Sequence, residues 1–198
     1  MNTQQLFVTK LNTAGSALAY SGIIDTSGIE YGTAIAVDAG SAIVGGYHGP
    51  LNPTDPPFPT TAGAYDTTFN GAADGVLLKV NAAGTALTFS TYLGGIGPDS
   101  IQGLALQGGD IYVCGSTESE DFPTSATAFR RTHCGNQDPF VTKLNGSATS
   151  LTYSTLLGLP KKEWGYDVAV DNGYAYVVGS IDSLTFPNSV NMFDTDAN

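Results

Sequence analysis

Six consecutive residues, Phe7-Val8-Thr9-Lys10-Leu11-Asn12, return unchanged as Phe140-Val141-Thr142-Lys143-Leu144-Asn145. A looser copy, Val76-Leu77-Leu78-Lys79-Val80-Asn81, stands between them. Recurrence at a fixed spacing constrains a fold more than composition does, because each copy must be one supersecondary unit that buries its apolar face on its neighbours. Lys79 follows Lys10 by 69 residues, and Lys143 follows Lys79 by 64. The same offsets carry the pairs Tyr20-Ser21, Phe89-Ser90 and Tyr153-Ser154. They also carry the alternating runs Ala34–Val37, Gly103–Leu106 and Asp167–Val170, and then Ile43–Gly46, Tyr112–Gly115 and Tyr176–Gly179. Five extra residues enter the first copy within Tyr47–Pro57. Beyond them Phe58-Pro59, Phe122-Pro123 and Phe186-Pro187 keep the 64-residue interval, as do Tyr65, Phe129 and Phe193. The chain is read as one domain of three copies, about 5–73, 74–137 and 138–198.

Each copy reads as four short strands. Asp38-Ala39-Gly40, Gln107-Gly108-Gly109 and Asp171-Asn172-Gly173 carry the Gly and Asn that two-residue hairpin turns require. No window holds three turns of apolar residues at the helical period. Four antiparallel strands per copy, in copies of this length, predict an all-β chain of the β-propeller class. A parallel β-helix is the alternative, but its repeats are shorter and lack paired hairpin turns.

Several motifs then carry a resemblance. Asp138-Pro139-Phe140-Val141-Thr142-Lys143-Leu144-Asn145, Phe89-Ser90-Thr91-Tyr92-Leu93-Gly94-Gly95, Tyr153-Ser154-Thr155-Leu156-Leu157-Gly158, the Ala36-Val37-Asp38 strand end and Asp121-Phe122-Pro123-Thr124 resemble the bacterial β-propeller repeat family called SBBP. The resemblance runs from about residue 5 to residue 194. It departs from the family's pattern at Gln5, which stands where the later copies have Asp74 and Asp138. It implies that Ala34–Val37 and its equivalents are the innermost strands, with the Ile43-type, Lys-Leu-Asn and Tyr-Ser strands following outward. The chain is then two intact blades between a leading half-blade of third and fourth strands and a trailing half-blade of first and second strands. It further implies a large exported or cell-surface bacterial protein, in which such repeats stand beside adhesive modules.

Charge narrows the partners. Seven basic residues against 18 acidic ones leave a net charge of −11, which argues against nucleic acid and anionic membrane surfaces. No apolar run reaches membrane-spanning length. Met1–Gln5 leads straight into the first copy without a secretory signal, so the extracellular location that the resemblance implies is expected of a chain that has lost a leader, is part of a longer protein or leaves by another route. Cys114 and Cys134 are expected to pair as a disulfide if the chain matures in an oxidising compartment, and to be two thiols otherwise.

The long loops, roughly 22–32, 47–74, 93–100, 116–138, 158–165 and 180 onward, are expected on one rim. That rim takes all the acidic residues except Asp38, Asp110 and Asp171. Function rides on loops held by a rigid scaffold, so Tyr47, His48, Asp121 and Trp164 are the candidate binding residues, with Trp164 the exposed aromatic. Tyr31 and Tyr166 are expected to fill gaps between blades. His48 and His133 are expected as solvated loop histidines; the Phe-Pro pairs with Tyr65, Phe129 and Phe193 as buried loop anchors; Lys10, Lys79 and Lys143 as snorkelling or pairing between blades. Glu118, Glu120 and Asp121, or Asp25 with Glu30, could do acid–base work, yet no nucleophile elbow or Cys-His arrangement is present. Calcium is the one cofactor such carboxylates suit, although the chain has no Asp-x-Asp-x-Asp-Gly loop. The expectation is a non-enzymatic binding or assembly module without catalytic or metal-ligating residues. Its partners would be a protein or glycan at the acidic rim, and either a second copy joined head to tail or further repeats of a longer chain. The rivals are a polysaccharide-active propeller enzyme and a filament-forming structural subunit.

Overall fold

The computed structural model describes residues 4–26 and 28–182. Phe186, Pro187 and Phe193, and the loop from 183 onward, lie outside the described residues. The fold is all-β, with twelve strands paired antiparallel in four sheets. Strands β1 (Leu6–Leu11) and β2 (Leu18–Ile24) form the first sheet. The second contains β3 (Ile29–Asp38), β4 (Ser41–Gly49), β5 (Asp74–Val80) and β6 (Leu87–Leu93), and the third β7 (Asp99–Gln107), β8 (Asp110–Thr117), β9 (Asp138–Leu144) and β10 (Leu151–Leu156), each paired in chain order. The fourth is the pair β11 (Glu163–Asp171) and β12 (Tyr174–Ile181). Two four-stranded sheets therefore stand between two half-sheets, in the strand order that the resemblance implied.

The turns follow the sequence. Ala39-Gly40, Gly108-Gly109 and Asn172-Gly173 all take positive φ at both positions, the conformation whose twist matches antiparallel strands. At the other hairpins, Asn12, Asn81 and Asn145 accept the amide of the residue four further on, Ser16, Thr85 and Thr149, at 2.8 to 2.9 Å. Gly15, Gly84 and Ala148 take positive φ there. Register shifts recur at Gly32/Ala34, Ile101/Gly103 and Gly165/Asp167, so each first strand bulges at the same repeat position and twists more strongly there.

The core is layered between successive sheets. Leu6, Val8, Val44, Phe58, Leu78 and Tyr92 fill the first gap. Ile43, Leu77, Leu93, Ile101, Val113 and Phe140 fill the second, and Tyr112, Cys114, Val141 and Val168 the third. Burial at about 25 cal/mol per Å² of apolar surface makes these layers the main force holding sheet to sheet. The long loops cover the outer strand edges. Thr61 and Ser125 donate backbone amides to the Ser90 and Ser154 carbonyls, while Asp66 and Arg130 accept from Tyr92 and Leu156. The free edges of β6 and β10 are thereby blunted against pairing with other chains.

Two expectations need correction. Phe58 and Phe122 are buried, but Phe129 is 67% exposed. Its counterpart Tyr65 packs on the Ala148 turn of the next sheet and donates its amide to the Ala148 carbonyl, and the described part of the fourth sheet has no third or fourth strand to supply such a turn. Two of the three lysines do not pair between sheets: Lys79 reaches Asp38 at 2.6 Å and Lys143 reaches Asp110 at 2.8 Å, in each case within one sheet, while Lys10 donates to the Ala82 carbonyl in a turn of the next sheet at 3.4 Å.

Ala39 is the only residue of the three hairpin turns that is neither Gly nor Asn at positive φ. Ala39→Asn, which copies Asn172, is expected to stabilise the chain by about 0.5–1 kcal/mol, a melting rise of roughly 1–4 °C. An unchanged or lower melting temperature would contradict this.

Candidate functional site at the sheet junctions

Each first strand of the last three sheets carries an acid at its first or second residue: Glu30, Asp99 and Glu163, which the 69- and 64-residue offsets superpose. Their backbone amides donate to Gln4, Ala73 and Gln137 carbonyls of the preceding sheet's approach segment, at 2.8, 2.7 and 3.0 Å. Their side chains accept from the residue four positions earlier. The Thr26 hydroxyl donates to Glu30, the Gly95 amide to Asp99 at 2.7 Å and the Leu159 amide to Glu163 at 3.0 Å. Asp74 and Asp138, at the starts of the third strands, do the same with the amides of Asn70 and Cys134, both at 2.9 Å. These acids close the loops that bring the chain from one sheet to the next.

Burial sets their protonation. Asp74 and Asp99 are almost wholly buried, and each keeps one carboxyl oxygen without a partner, as do Glu30 and Asp138. Burial pushes Asp74 up to about 7 against the help of the Asn70 amide, with the negative charge of Asp99 adding to the rise. Burial likewise pushes Asp99 up to about 6, against the Thr117, Gly95 and Ser119 hydrogen bonds. Asp138 is raised by burial above all, with the charge of Glu163 adding and the Cys134 amide and His133 opposing. A side chain at Gly94 would place its Cβ 2.6 Å from Asp99 Oδ2 and 3.1 Å from Asp74 Oδ1, so the two acids converge on a point only glycine fits.

The strand following each acid supplies its cross-strand partner, and here the copies differ. Glu30 faces His48, Asp99 faces Thr117 and Glu163 faces Ile181. His48 is therefore a buried strand residue, not a solvated loop histidine. Its Nδ1 lies 3.0 Å from Glu30 Oε1, and its ring packs on Phe58, Phe69 and Tyr92. His133 is half-buried, with Nε2 3.3 Å from the Thr117 carbonyl.

The candidate binding residues do not meet as one constellation. Tyr47 stacks on Tyr31 at 4.9 Å and edges a shallow depression of about 260 Å³ shared with Pro98, Asp99, Ser100, Ser116 and Glu118. Asp121 is exposed, its carboxylate accepting the Ile96 amide at 2.9 Å. Trp164 is half-buried in β11 rather than exposed, and Tyr166 is 50% exposed with its hydroxyl 2.7 Å from Ser180. Asp167, expected on the long-loop rim, sits in the middle of β11, where its backbone packs on Gly103. Cys114 and Cys134 are both free. Cys114 points into the third core layer, and burial pushes its thiol up to about 12, whereas Cys134 sits in the loop ahead of β9.

Chemically, neighbouring carboxyls of raised pKa are what acid–base enzymes use, but here the acids are closed off from solvent and turned to loop amides. Among the described residues no group of three or more His, Cys, Asp and Glu is arranged to hold a metal ion. The equivalence of Glu30, Asp99 and Glu163 is the signal sequence reasoning missed; it becomes visible once the repeat offsets are carried four residues ahead of the expected strand starts. No family model matches the chain, and no curated protein matches it.

Asp74 and Asp99 titrate above the unfolded carboxyl, so between about pH 4 and pH 7 the native chain holds protons that the unfolded chain has released. Their contribution is complete below the unfolded pKa and is lost as pH rises through 6 to 7. The chain is expected to melt roughly 4–8 °C higher at pH 5 than at pH 8, about 2 kcal/mol. Asp74→Asn, which keeps an acceptor for the Asn70 amide, should shrink that difference and raise stability at pH 8. A melting temperature that is flat or rises between pH 5 and pH 8 would contradict the assignment.

Proposed function

We propose that the chain is a run of β-propeller blades belonging to an exported or cell-surface bacterial protein, and that it works by binding and assembly rather than by catalysis. The observation that carries this reading is the pair of half-sheets. The leading one is made of the strand types that come third and fourth in a complete sheet, and the trailing one of the types that come first and second. Each lacks what the other has.

Two further features support it. Exposed large apolar side chains gather on the half-sheets, at Phe7, Leu11, Leu18 and Ile23 on one and Tyr174, Tyr176, Val178 and Ile181 on the other. Unpaired strand edges with such faces are sites of association. The most buried acids, in turn, are tied to loop amides, which favours a structural role for them over the acid–base chemistry of a polysaccharide-active enzyme. The motif resemblance to SBBP-type repeats points the same way. Protein or glycan contact at the acidic rim belongs to this reading, with Tyr47 and Asp121 as its accessible residues.

Light scattering on the purified 198-residue chain tests it. The expected mass at micromolar concentration exceeds 20.4 kDa and rises with concentration. A folded chain that stays at the monomer mass throughout would contradict assembly through the open edges.

A further inference from the structure

Resting on the assembly reading above, we propose that the occupant of each open edge is a second copy of this chain, docked in one register: β12 of one copy pairs with β1 of the next. The register follows from the complete sheets. The β4–β5 and β8–β9 pairs set Ala42 opposite Val80 and Ile111 opposite Leu144. The repeat offsets carry both pairs to Ala175 opposite Leu11. Tyr176 then faces Lys10, Val178 faces Val8 and Gly179 faces Phe7.

Three unsatisfied features of the chain meet their partners in that register. First, Phe7 is 70% exposed, whereas its counterpart Phe140 is wholly buried in the cluster containing Leu93 and Ile101. The counterparts of those two residues, Leu157 and Gly165, line an open apolar trough of about 270 Å³ together with Pro139, Trp164, Val177 and Gly179. Phe7 of a second copy fills that trough, and the absence of a side chain at Gly165 makes the room.

Second, Lys79 and Lys143 each hold a carboxylate, but among the described residues Lys10 has the Ala82 carbonyl at 3.4 Å and the Tyr20 ring, its centroid 5.9 Å away, and no carboxylate. Across the junction it meets Asp171, which stands where Asp38 stands for Lys79, and Tyr176, which stands where Tyr112 lies under Lys143 at 5.0 Å. Third, Phe129 is exposed where Tyr65 is anchored on the Ala148 turn. The counterpart of Ala148 is Gly15, in the β1–β2 turn that the second copy brings.

The other side of the junction is also open. A trough of about 550 Å³ runs along β1 and over β3, bordered by Leu6, Val8, Tyr31, Gly32 and Val44. At the following junction that place, beside β5 and against β7, is held by β4, the counterpart of β12. One chain cannot satisfy itself this way, because its two half-sheets stand at opposite ends of the layered core with two complete sheets between them. The contact is heterologous, so successive copies add head to tail until a ring closes or a filament grows.

Two single-end variants test the register. Phe7→Asp disables the head, and Val178→Asp, at a residue 60% exposed, disables the tail; both sites are solvent-facing, so each variant should melt within a few degrees of the wild type. Each alone is expected to be monomeric, and their equimolar mixture is expected to stop at twice 20.4 kDa, because only one productive junction remains. Loss of the Phe7 contact should weaken association roughly 10- to 100-fold, and Lys10→Glu by less than about fivefold, as befits an exposed ion pair. A wild-type chain that associates while Phe7→Asp associates equally well would overturn the register and leave assembly standing. Variants that stay monomeric when mixed would also overturn it. A monomeric wild type would overturn both, and would mean that something other than a second copy covers these edges.

Discussion

The hydrogen-bonded clasp at each sheet junction is the interaction on which the rest of the structure depends. A single acid at the start of a first strand donates its amide backward to the preceding sheet's approach segment and turns its carboxyl to the loop it has just left. Backbone amides in a loop need partners once buried, and a carboxyl is the one side chain that can accept them without supplying a competing donor when ionised. The cost is burial of the acid itself, visible as the raised pKa of Asp74 and Asp99. Glycine at 94 lets the two acids approach one another. The path of the chain from one sheet to the next follows this clasp, repeated at intervals of 69 and 64 residues.

The copies differ in what faces the clasp acid across the strand. Where Asp99 has the Thr117 hydroxyl across the strand, Glu30 has His48 and Glu163 has the apolar Ile181. The longer Glu30 side chain and the imidazole fill a wider space lined by Phe58, Phe69 and Tyr92, alongside the five-residue insertion of the first copy.

Strand number and turn type were legible in the sequence because they rest on local chemistry, and strand order came with the motif resemblance. Asn172-Gly173 and Gly108-Gly109 can hardly be anything but tight hairpins, and the Phe-Val-Thr-Lys-Leu-Asn copies set the register. Burial of polar groups was not legible, because it depends on what the neighbouring sheet brings. Glu30 and His48 looked like loop residues since the alternating apolar run begins only at Ala34, yet β3 starts at Ile29. Phe129 looked like a core anchor because its counterpart Tyr65 is one; its exposure reflects a neighbouring turn that only a further sheet could provide. The lysines repeat so regularly that an inter-sheet role suggested itself, but Asp38 and Asp110 sit in the hairpins of the same sheets.

Complete sheets in this chain cover their outer edges with the long loops, whereas each half-sheet packs one face on its neighbour and, among the described residues, leaves the edge of β1 or β12 unpaired. The account therefore holds that β1 and β12 gain their protection from association. Amide hydrogen exchange, read residue by residue at dilute and at high chain concentration, tests this most directly. The account predicts that the amides along β1 and β12 exchange quickly when dilute and slow markedly when concentrated, while those of β5 and β8 are slow at both. Slow exchange along β1 and β12 in the dilute chain, or fast exchange there at every concentration, would contradict it.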